Sequence, residues 1–336
     1  MDSLTHIALG ACIGEAIAGK YLGKKAMLLG IIGQSIPDID FITGIWLKGI
    51  DQIMAHRAFT HSVLFAIIVT LLLSWISARI LHLHNLQLRK YILLFSVNIF
   101  VHIFIDTFNA YGTAILSPFS STRYSFNTLF VADPLFSAGP LIAGICLTFT
   151  KQRSLKNFIV ALSGITLSIV YIGYAVYNKT IADKALQHTL AENHISSSGY
   201  FSTPTLFNSW LWFIVVKQQQ GYQIGYRSVF DKQEYIRLHY IPRNDSLLLN
   251  APDHHVVNDL IKFSNNYYTV ENRSDTLTMN ILRFGQIGWD ESSTHFAFYY
   301  FLNQPDANSM ITQRGRFKEM DIHNFSRFIH RIQGRK

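Results

Sequence analysis

The chain has 336 residues, of which 49% are hydrophobic and only 15% are charged. Soluble domains carry roughly 25% charged residues, so an entirely soluble protein is excluded. The two cysteines, Cys12 and Cys146, both lie in apolar stretches, which excludes a disulfide framework and a cysteine-based zinc site. The net charge is +8, but many of the lysines and arginines flank apolar segments, so no nucleic-acid binding is expected.

The first 180 residues hold nearly all of the long apolar runs. The clearest run has the length of about 20 residues that a helix needs to cross a hydrocarbon core of about 30 Å. The first two runs are shorter and rich in glycine, and are expected to pack closely as a hairpin. The predicted embedded helices lie at residues 4–18, 26–36, 61–81, 91–108, 135–149 and 158–177. The sequence therefore predicts a membrane-embedded, all-α helical bundle of about six helices over residues 1–180.

Residues 181–336 alternate apolar and polar side chains between turn signals, a pattern that is typical of strands. Strands are predicted at 209–216, 222–230, 235–240, 276–284 and 295–301, and helices at 253–263 and 320–332. We therefore expect the helical bundle to be followed by a soluble α+β domain that spans residues 181–336.

The basic residues predict how the bundle is oriented. They form three clusters: Lys20, Lys24 and Lys25; Arg79, Arg89 and Lys90; Lys151, Arg153 and Lys156. Threading the chain through the predicted helices puts all three clusters on one side, which the positive-inside rule assigns to the cytoplasm. The N-terminus, the loops 37–60 and 109–134 and the C-terminal domain are then predicted to be extracytoplasmic.

Four motifs rich in histidine and aspartate are predicted to converge on the extracytoplasmic face. They are Thr5-His6, Pro37-Asp38-Ile39-Asp40, His56-Arg57-Ala58-Phe59-Thr60-His61-Ser62 and His102-Ile103-Phe104-Ile105-Asp106. His102 and Asp106 are four residues apart, so they share one face of a helix. Asp38 and Asp40 follow a proline that disfavours helix, so we expect an extended segment with both carboxylates on one side.

Imidazole and carboxylate groups together suit a divalent metal ion, with zinc as the first choice and manganese or iron as alternatives. The predicted ligands are His6, Asp38, His56, His61, His102 and Asp106. Each has a simpler interpretation by itself: a capping or surface histidine, a turn-capping aspartate, a histidine at the lipid headgroups or a structural His–Asp pair. Convergence from four segments favours the metal site, because the simpler interpretations require several independent coincidences.

Three more residues on this face are predicted to take part in catalysis. Arg57 and Arg123 are candidates for holding an anionic substrate such as a phosphate, because a guanidinium group binds phosphate through paired hydrogen bonds. Contact with lipid headgroups, or an ion pair with Asp133, is an equal alternative. Asp40 is a candidate for completing the site or for serving as a general base.

The motifs also resemble a known family. The segments DSLTHIALGACIGE, PDID, HRAFTHS, HIFID and SPFSSTRYSFNTLFVADPLF resemble the membrane-bound metal-dependent hydrolases, also described as LexA-binding, inner-membrane-associated hydrolases. The segments TPTLFNSWLWFIV and GYQIGYRSVFD are similar to the C-terminal domain of longer members. The resemblance implies a bacterial inner-membrane protein with hydrolase activity.

The ligand pattern is also similar to that of the helical zinc phospholipase C and P1-type nuclease group. The HxxxD motif of that group would correspond to His102 and Asp106. A later HxxxE motif is absent between residue 110 and the end of the predicted bundle at residue 180, so we expect one or two metal ions where that group has three.

Two hypotheses follow for the function. The favoured one is a metal-dependent hydrolase whose activated water attacks an ester or phosphoester of a lipid or lipid-linked substrate at the outer bilayer face. The alternative is a non-enzymatic, metal-stabilised membrane scaffold or regulator that binds a protein partner. Metal or proton transport ranks last, because few ionisable residues occupy the deep parts of the predicted helices.

Overall fold

A computed structural model describes residues 1–81, 86–150, 153–273, 275–287, 295–304, 308 and 322–335. Lys151 and the first residues of the predicted helix at 320–332 lie outside the described residues. The chain divides into two compact units, one of Met1–Ile45 with Ala55–Tyr174 and one of Trp46–Met54 with Ala175–Lys336. The boundary between the units therefore falls inside a helix.

The first unit is helical. The helices of the described chain up to residue 192 are α1 (Ser3–Leu22), α2 (Lys24–Ser35), α3 (Gly49–Ala55), α4 (Val63–Leu81), α5 (Leu88–Asp106), α6 (Pro134–Phe149) and α7 (Leu155–Glu192). Two 3₁₀ helices, Ile36–Ile45 and Phe59–His61, lead into α3 and α4. The expectation of an extended segment around Asp38 was wrong, because the chain continues from α2 into a 3₁₀ helix despite Pro37.

Local sequence features explain several helix ends. Asp2 caps α1 by accepting a hydrogen bond of 3.0 Å from the backbone N–H of Thr5. Gly23 separates α1 from α2 with a positive φ of 58° that favours glycine. Asp133 caps α6 by accepting from the backbone N–H groups of Leu135 and Phe136. The caps fix where the apolar helices begin, and so which residues stand at their ends.

Helices α1 and α2 pack backbone to backbone. A Cβ atom added to Gly14 would lie 2.1 Å from the carbonyl oxygen of Ala26, and one added to Gly30 would lie 2.0 Å from that of Gly10. Only glycine fits at such distances, as in the close helix contacts of membrane proteins. The glycine-rich hairpin expected from the sequence is therefore present.

Within the described residues, four helical segments are long and apolar enough to cross a membrane. They are Lys24–Ile45, Val63–Leu81, Leu88–Asp106 and Leu155–Glu192, with Pro134–Phe149 as a shorter apolar helix. Apolar side chains of α4 such as Ile67, Leu71 and Trp75 are exposed, as lipid-facing side chains would be. The predicted class, a helical membrane bundle followed by a domain with sheets, is confirmed.

The second unit contains two antiparallel sheets. One has the order β1 (Gly199–Pro204), β2 (Leu211–Lys217), β3 (Gly221–Ser228) and β4 (His239–Pro242), and the other the order β5 (Tyr268–Arg273), β6 (Thr276–Ile281) and β7 (Tyr299–Phe301). The unit also contains α8 (His254–Phe263), α9 (Ile322–Ile332), most of α3, the end of α7 and two 3₁₀ helices, Asp245–Asn250 and Leu282–Phe284. Strands β1 and β5 are not among the predicted strands, and the strand expected at 235–240 is β4, which begins only at His239.

The hydrophobic core of the second unit explains its sheet pattern. Strand β2 is buried along almost its whole length, with Trp212, Ile214 and Val216 fully covered. Ile214 and Val216 form one cluster with Leu186 and Leu190 of α7. A strand covered on both faces is apolar throughout, as the run LWFIVV is.

The glycine contact between α1 and α2 yields the first prediction. Gly30→Ala is expected to lower the stability by about 1–3 kcal/mol, because the added methyl group meets backbone atoms that no rotamer change can move away. Thermal unfolding in detergent measures the loss. The matched control is Gly144→Ala on α6, where an added Cβ meets nothing within 4 Å. Equal stability of the two variants would contradict the close packing.

Candidate metal centre

Four side chains from three segments direct one ligand atom each to a common point. They are Asp38, His61, His102 and Asp106, whose ligand atoms all lie within 4.8 Å of one another. The Nε2 atoms of His61 and His102 are 3.2 Å apart. Asp38 Oδ1 lies 3.5 Å from both of these nitrogens, and Asp106 Oδ2 lies 3.3 Å from that of His61 and 3.6 Å from that of His102.

These separations match a tetrahedral site. Two ligands bound to one zinc ion at about 2.0–2.1 Å are about 3.3–3.4 Å apart in a tetrahedron. Five of the six distances in the cluster lie between 3.2 and 3.6 Å, and the sixth, between Asp38 and Asp106, lies within 4.8 Å. The four side chains are therefore close enough together to hold a metal ion of that size.

The hydrogen bonds of the two imidazoles leave both lone pairs pointing inward. Nδ1 of His102 bonds to the backbone carbonyl of Gln34, which can only accept, so Nδ1 carries the proton. Thr60 donates to Asp40 over 3.1 Å, which leaves its oxygen to accept from Nδ1 of His61 at 3.0 Å. When both rings are neutral, their unprotonated Nε2 atoms face each other, an arrangement that a cation or a shared proton between them would stabilise.

Charge around the cluster is unbalanced. Three carboxylates, those of Asp38, Asp40 and Asp106, lie together, and the guanidinium of Arg57 and the amino group of Met1 both contact Asp106. Burial lowers the pKa of His61, but its contacts with Asp106 and Asp38 outweigh burial and raise the pKa above its usual value. The site thus favours additional positive charge.

Among the four ligands of the cluster, only Asp38 reaches the surface of the described residues. His61, His102 and Asp106 are fully buried, whereas the side chain of Asp38 is 24% exposed. The surrounding protein removes water from three of the four ligands, which strengthens their attraction for a cation. Access for an ion or a small reactant is therefore from the side of Asp38.

Asp40 lies beside the four-atom cluster and supports it. Its carboxylate accepts hydrogen bonds from Nδ1 of His56 at 3.0 Å, from the backbone N–H of Arg57 at 2.8 Å and from Thr60 at 3.1 Å. Through Thr60 it fixes the ring of His61, a common arrangement behind metal-binding histidines. Asp38 and Asp40 therefore point to different partners, contrary to the expectation of a shared side.

The side chain of Arg57 is buried and contacts other protein groups. Its backbone has a positive φ of 58°, and its buried guanidinium lies 3.2 Å from Asp106 through Nε and donates to Asn109 over 2.9 Å. It also stacks over the ring of Tyr111 at 5.4 Å. Arg123 is partly exposed and donates from Nη2 to the backbone carbonyl of His56 over 2.8 Å.

The other two predicted ligands lie outside the cluster of four. His6, on α1, stacks against His102 with ring centroids 3.8 Å apart, and its Nε2 lies 3.4 Å from Asp106 Oδ1. His56 is hydrogen-bonded to Asp40, and its side chain is 42% exposed. The structure therefore brings all six predicted ligands into one region, but only four share a common point.

Three contributors were missed in the sequence. Gln34 acts through its backbone carbonyl, which no side-chain pattern can reveal. Asn109 follows α5 in a loop with no recognisable motif. Thr60 could have been found, since it lies directly beside His61 within the histidine motif.

These features define the class of protein: a multi-helix membrane protein with a buried His/Asp cluster able to bind a metal ion. Residues 1–182 match the model of the YdjM inner membrane protein family, and the chain belongs to that family. The description of the family as inner membrane proteins agrees with the length and apolar composition of the segments that contain α2, α4, α5 and α7.

Two individual relatives extend the comparison. Uncharacterized protein YfhP of Bacillus subtilis (strain 168) is 26% identical over 241 residues, which cover 67% of this chain and 68% of the relative. Inner membrane protein YbcI of Escherichia coli (strain K12) is 29% identical over 123 residues, which cover 36% of this chain and 69% of the relative. No solved structure matches the chain.

The cluster geometry predicts tight binding of a divalent ion that depends on its four side chains. His102→Ala is expected to weaken Zn²⁺ binding by more than roughly 100-fold, because loss of even an outer-shell partner costs 10–100-fold. Calorimetric titration of metal-stripped protein measures the affinity. His188→Ala, which alters an exposed histidine on α7, is the control and should bind like the wild type. Unchanged binding by His102→Ala would contradict the site.

Proposed function

We propose that this protein is a metal-dependent hydrolase that cleaves an ester or phosphoester bond of a lipid or lipid-linked substrate. The observation that carries the proposal is the group of four ligand atoms with two facing imidazole lone pairs. A divalent ion in such a group, with zinc as the first choice, lowers the pKa of a coordinated water towards neutrality.

The residues around the cluster supply the remaining functions. In the hydrolysis, the water oxygen bonds to the carbonyl carbon or phosphorus, the bond to the leaving oxygen breaks, and that oxygen takes up a proton. His56 is the group we assign to this proton transfer, since Asp40 holds its Nδ1 and its ring is accessible. Nδ1–H bonded to a carboxylate leaves Nε2 as the atom that accepts and returns the proton.

The two arginines are assigned different roles. Arg57 counters the charge of Asp106 and holds that carboxylate in place. Arg123 lies nearer the surface, beside His56, and is the group we assign to the anionic part of the substrate. The notion of Arg57 as a substrate-binding residue is less favoured, because its guanidinium is buried among protein groups.

Exposed apolar side chains favour a lipid substrate. The segments that carry the site also carry Phe41, Ile45 and Phe119, which are 75%, 78% and 85% exposed. Phe59, in the same 3₁₀ helix as His61, and Phe126, in the same loop as Phe119, are exposed as well. Apolar and aromatic residues at helix ends are typical of the membrane interface, where a lipid headgroup could reach the open side of Asp38.

Orientation is part of the proposal. The basic clusters predict that the end of the bundle opposite the metal centre faces the cytoplasm. The metal centre and the C-terminal domain would then be extracytoplasmic, in a bacterial inner membrane.

A second candidate function has its own support. Four protein ligand atoms on one ion would complete a tetrahedron, and closed sites of that kind are usually structural, whereas catalytic zinc sites keep one position for water. A metal-stabilised scaffold or regulator that binds a protein partner is therefore the alternative.

Hydrolysis and metal binding can be separated with His56. His56→Ala is expected to keep its metal but to lose about 10²–10⁴-fold in turnover, the usual contribution of a general acid–base group. The assay uses purified protein with bound metal and a panel of phospholipids and lipid-linked phosphates. Metal-loaded wild type that turns over none of them would favour the scaffold, and a fully active His56→Ala would reject the role of His56.

Orientation is tested by labelling. Single cysteines placed in the exposed loop at Phe119 and near the C-terminus at Arg335 are expected to react with a membrane-impermeant maleimide in intact cells, and a cysteine at Lys25 is not. The background is Cys12→Ser/Cys146→Ser. Labelling of Lys25→Cys alone would show the opposite orientation.

A further inference from the structure

His6 is a buried histidine with unused hydrogen-bonding capacity. His6 is fully buried, and neither its Nδ1 nor its Nε2 has a hydrogen-bond partner among the described residues. A neutral imidazole carries one donor and one acceptor, and leaving either of them buried and unpaired is unfavourable. Such a residue requires an explanation.

The geometry around Asp106 offers one. Its Oδ2 faces His61 and His102, as part of the cluster of four. Its Oδ1 faces the other way, towards Nε2 of His6 at 3.4 Å. That distance again equals the separation of two ligands on one ion, about 3.3–3.4 Å. Asp106 thus presents one oxygen to each of two positions.

We propose that His6 Nε2 and Asp106 Oδ1 bind a second divalent ion, and that Asp106 bridges the two ions. Carboxylate-bridged pairs of ions about 3.5–4 Å apart are common in enzymes that hydrolyse phosphoesters. The amino group of Met1 contacts the same oxygen of Asp106 in the structure. The ion would replace this ammonium contact.

The second ion would resolve a difficulty of the first. The first position uses four protein atoms, which leaves no place for water in a tetrahedron. The second position has two protein ligands, so its other places are open to water or to a phosphate oxygen. This inference deepens the proposed function and rests on it only for the role of the ion, since the binding itself is independent of turnover.

The experiment counts ions without using activity. Full-length protein in detergent is stripped with chelator, loaded with Mn²⁺ and analysed for manganese per chain and by electron paramagnetic resonance. The wild type is expected to bind two ions with the spectrum of an exchange-coupled pair. His6→Phe keeps a ring that can stack on His102 but removes both nitrogens, and it should bind one ion with an uncoupled spectrum.

Controls make the result decisive. His254→Phe, at an exposed position on α8, should bind two ions like the wild type. His6→Asn is the second variant should His6→Phe fail to fold, as judged by its thermal unfolding. One ion in the wild type, or two coupled ions in a folded His6 variant, would overturn the proposal. Two coupled ions without turnover of any lipid substrate would reject the hydrolase and leave the second site standing.

Discussion

The buried carboxylate of Asp106 is the group on which the arrangement of the helical unit depends. It is fully covered, near the end of a helix apolar enough to lie in a membrane, where an uncompensated charge costs at least ~2.5 kcal/mol. The charge of Asp106 is compensated by contacts with Arg57, His61, His102 and His6. His102 belongs to α5 itself, and the other three residues come from other parts of the chain. Asp106 therefore links folding to function, because the same contacts that make its burial tolerable also assemble ligands around a common point.

Close helix packing makes this assembly possible. The glycines between α1 and α2 bring the two backbones together, and a Cβ on Gly33 would lie 3.0 Å from Asn98, so α2 also approaches α5 closely. The carbonyl of Gln34 can then reach Nδ1 of His102 and set its tautomer. Small residues far from the reactive atoms thus determine which nitrogen of a histidine faces the metal position.

The site combines buried ligands with exposed apolar side chains around it. Three of its four ligands are buried, while the segments that carry the site also expose Phe41, Ile45 and Phe119. A water-soluble reactant gains nothing from such a rim, whereas an amphiphilic one can keep its chains in lipid and present its headgroup. The exposed apolar side chains and the cluster of ligand atoms are two independent features of the structure. The proposal of a lipid substrate depends on both features lying on the same segments.

Much could be predicted from the sequence because it depends on local patterns. Apolar runs identified the helical membrane bundle, glycine spacing identified the α1–α2 contact, and the i,i+4 pair of His102 and Asp106 placed two ligands on one helix face. Strands β1 and β5 escaped prediction, and the chain around Asp38 is 3₁₀ rather than extended.

Only the tertiary structure separated the six predicted ligands into groups. Four of them direct their ligand atoms to a common point, His56 is hydrogen-bonded to Asp40, and His6 faces the second oxygen of Asp106. The physical reason is that residue type and spacing determine which groups are available, whereas distances below 4 Å and the direction of a lone pair depend on how distant segments pack.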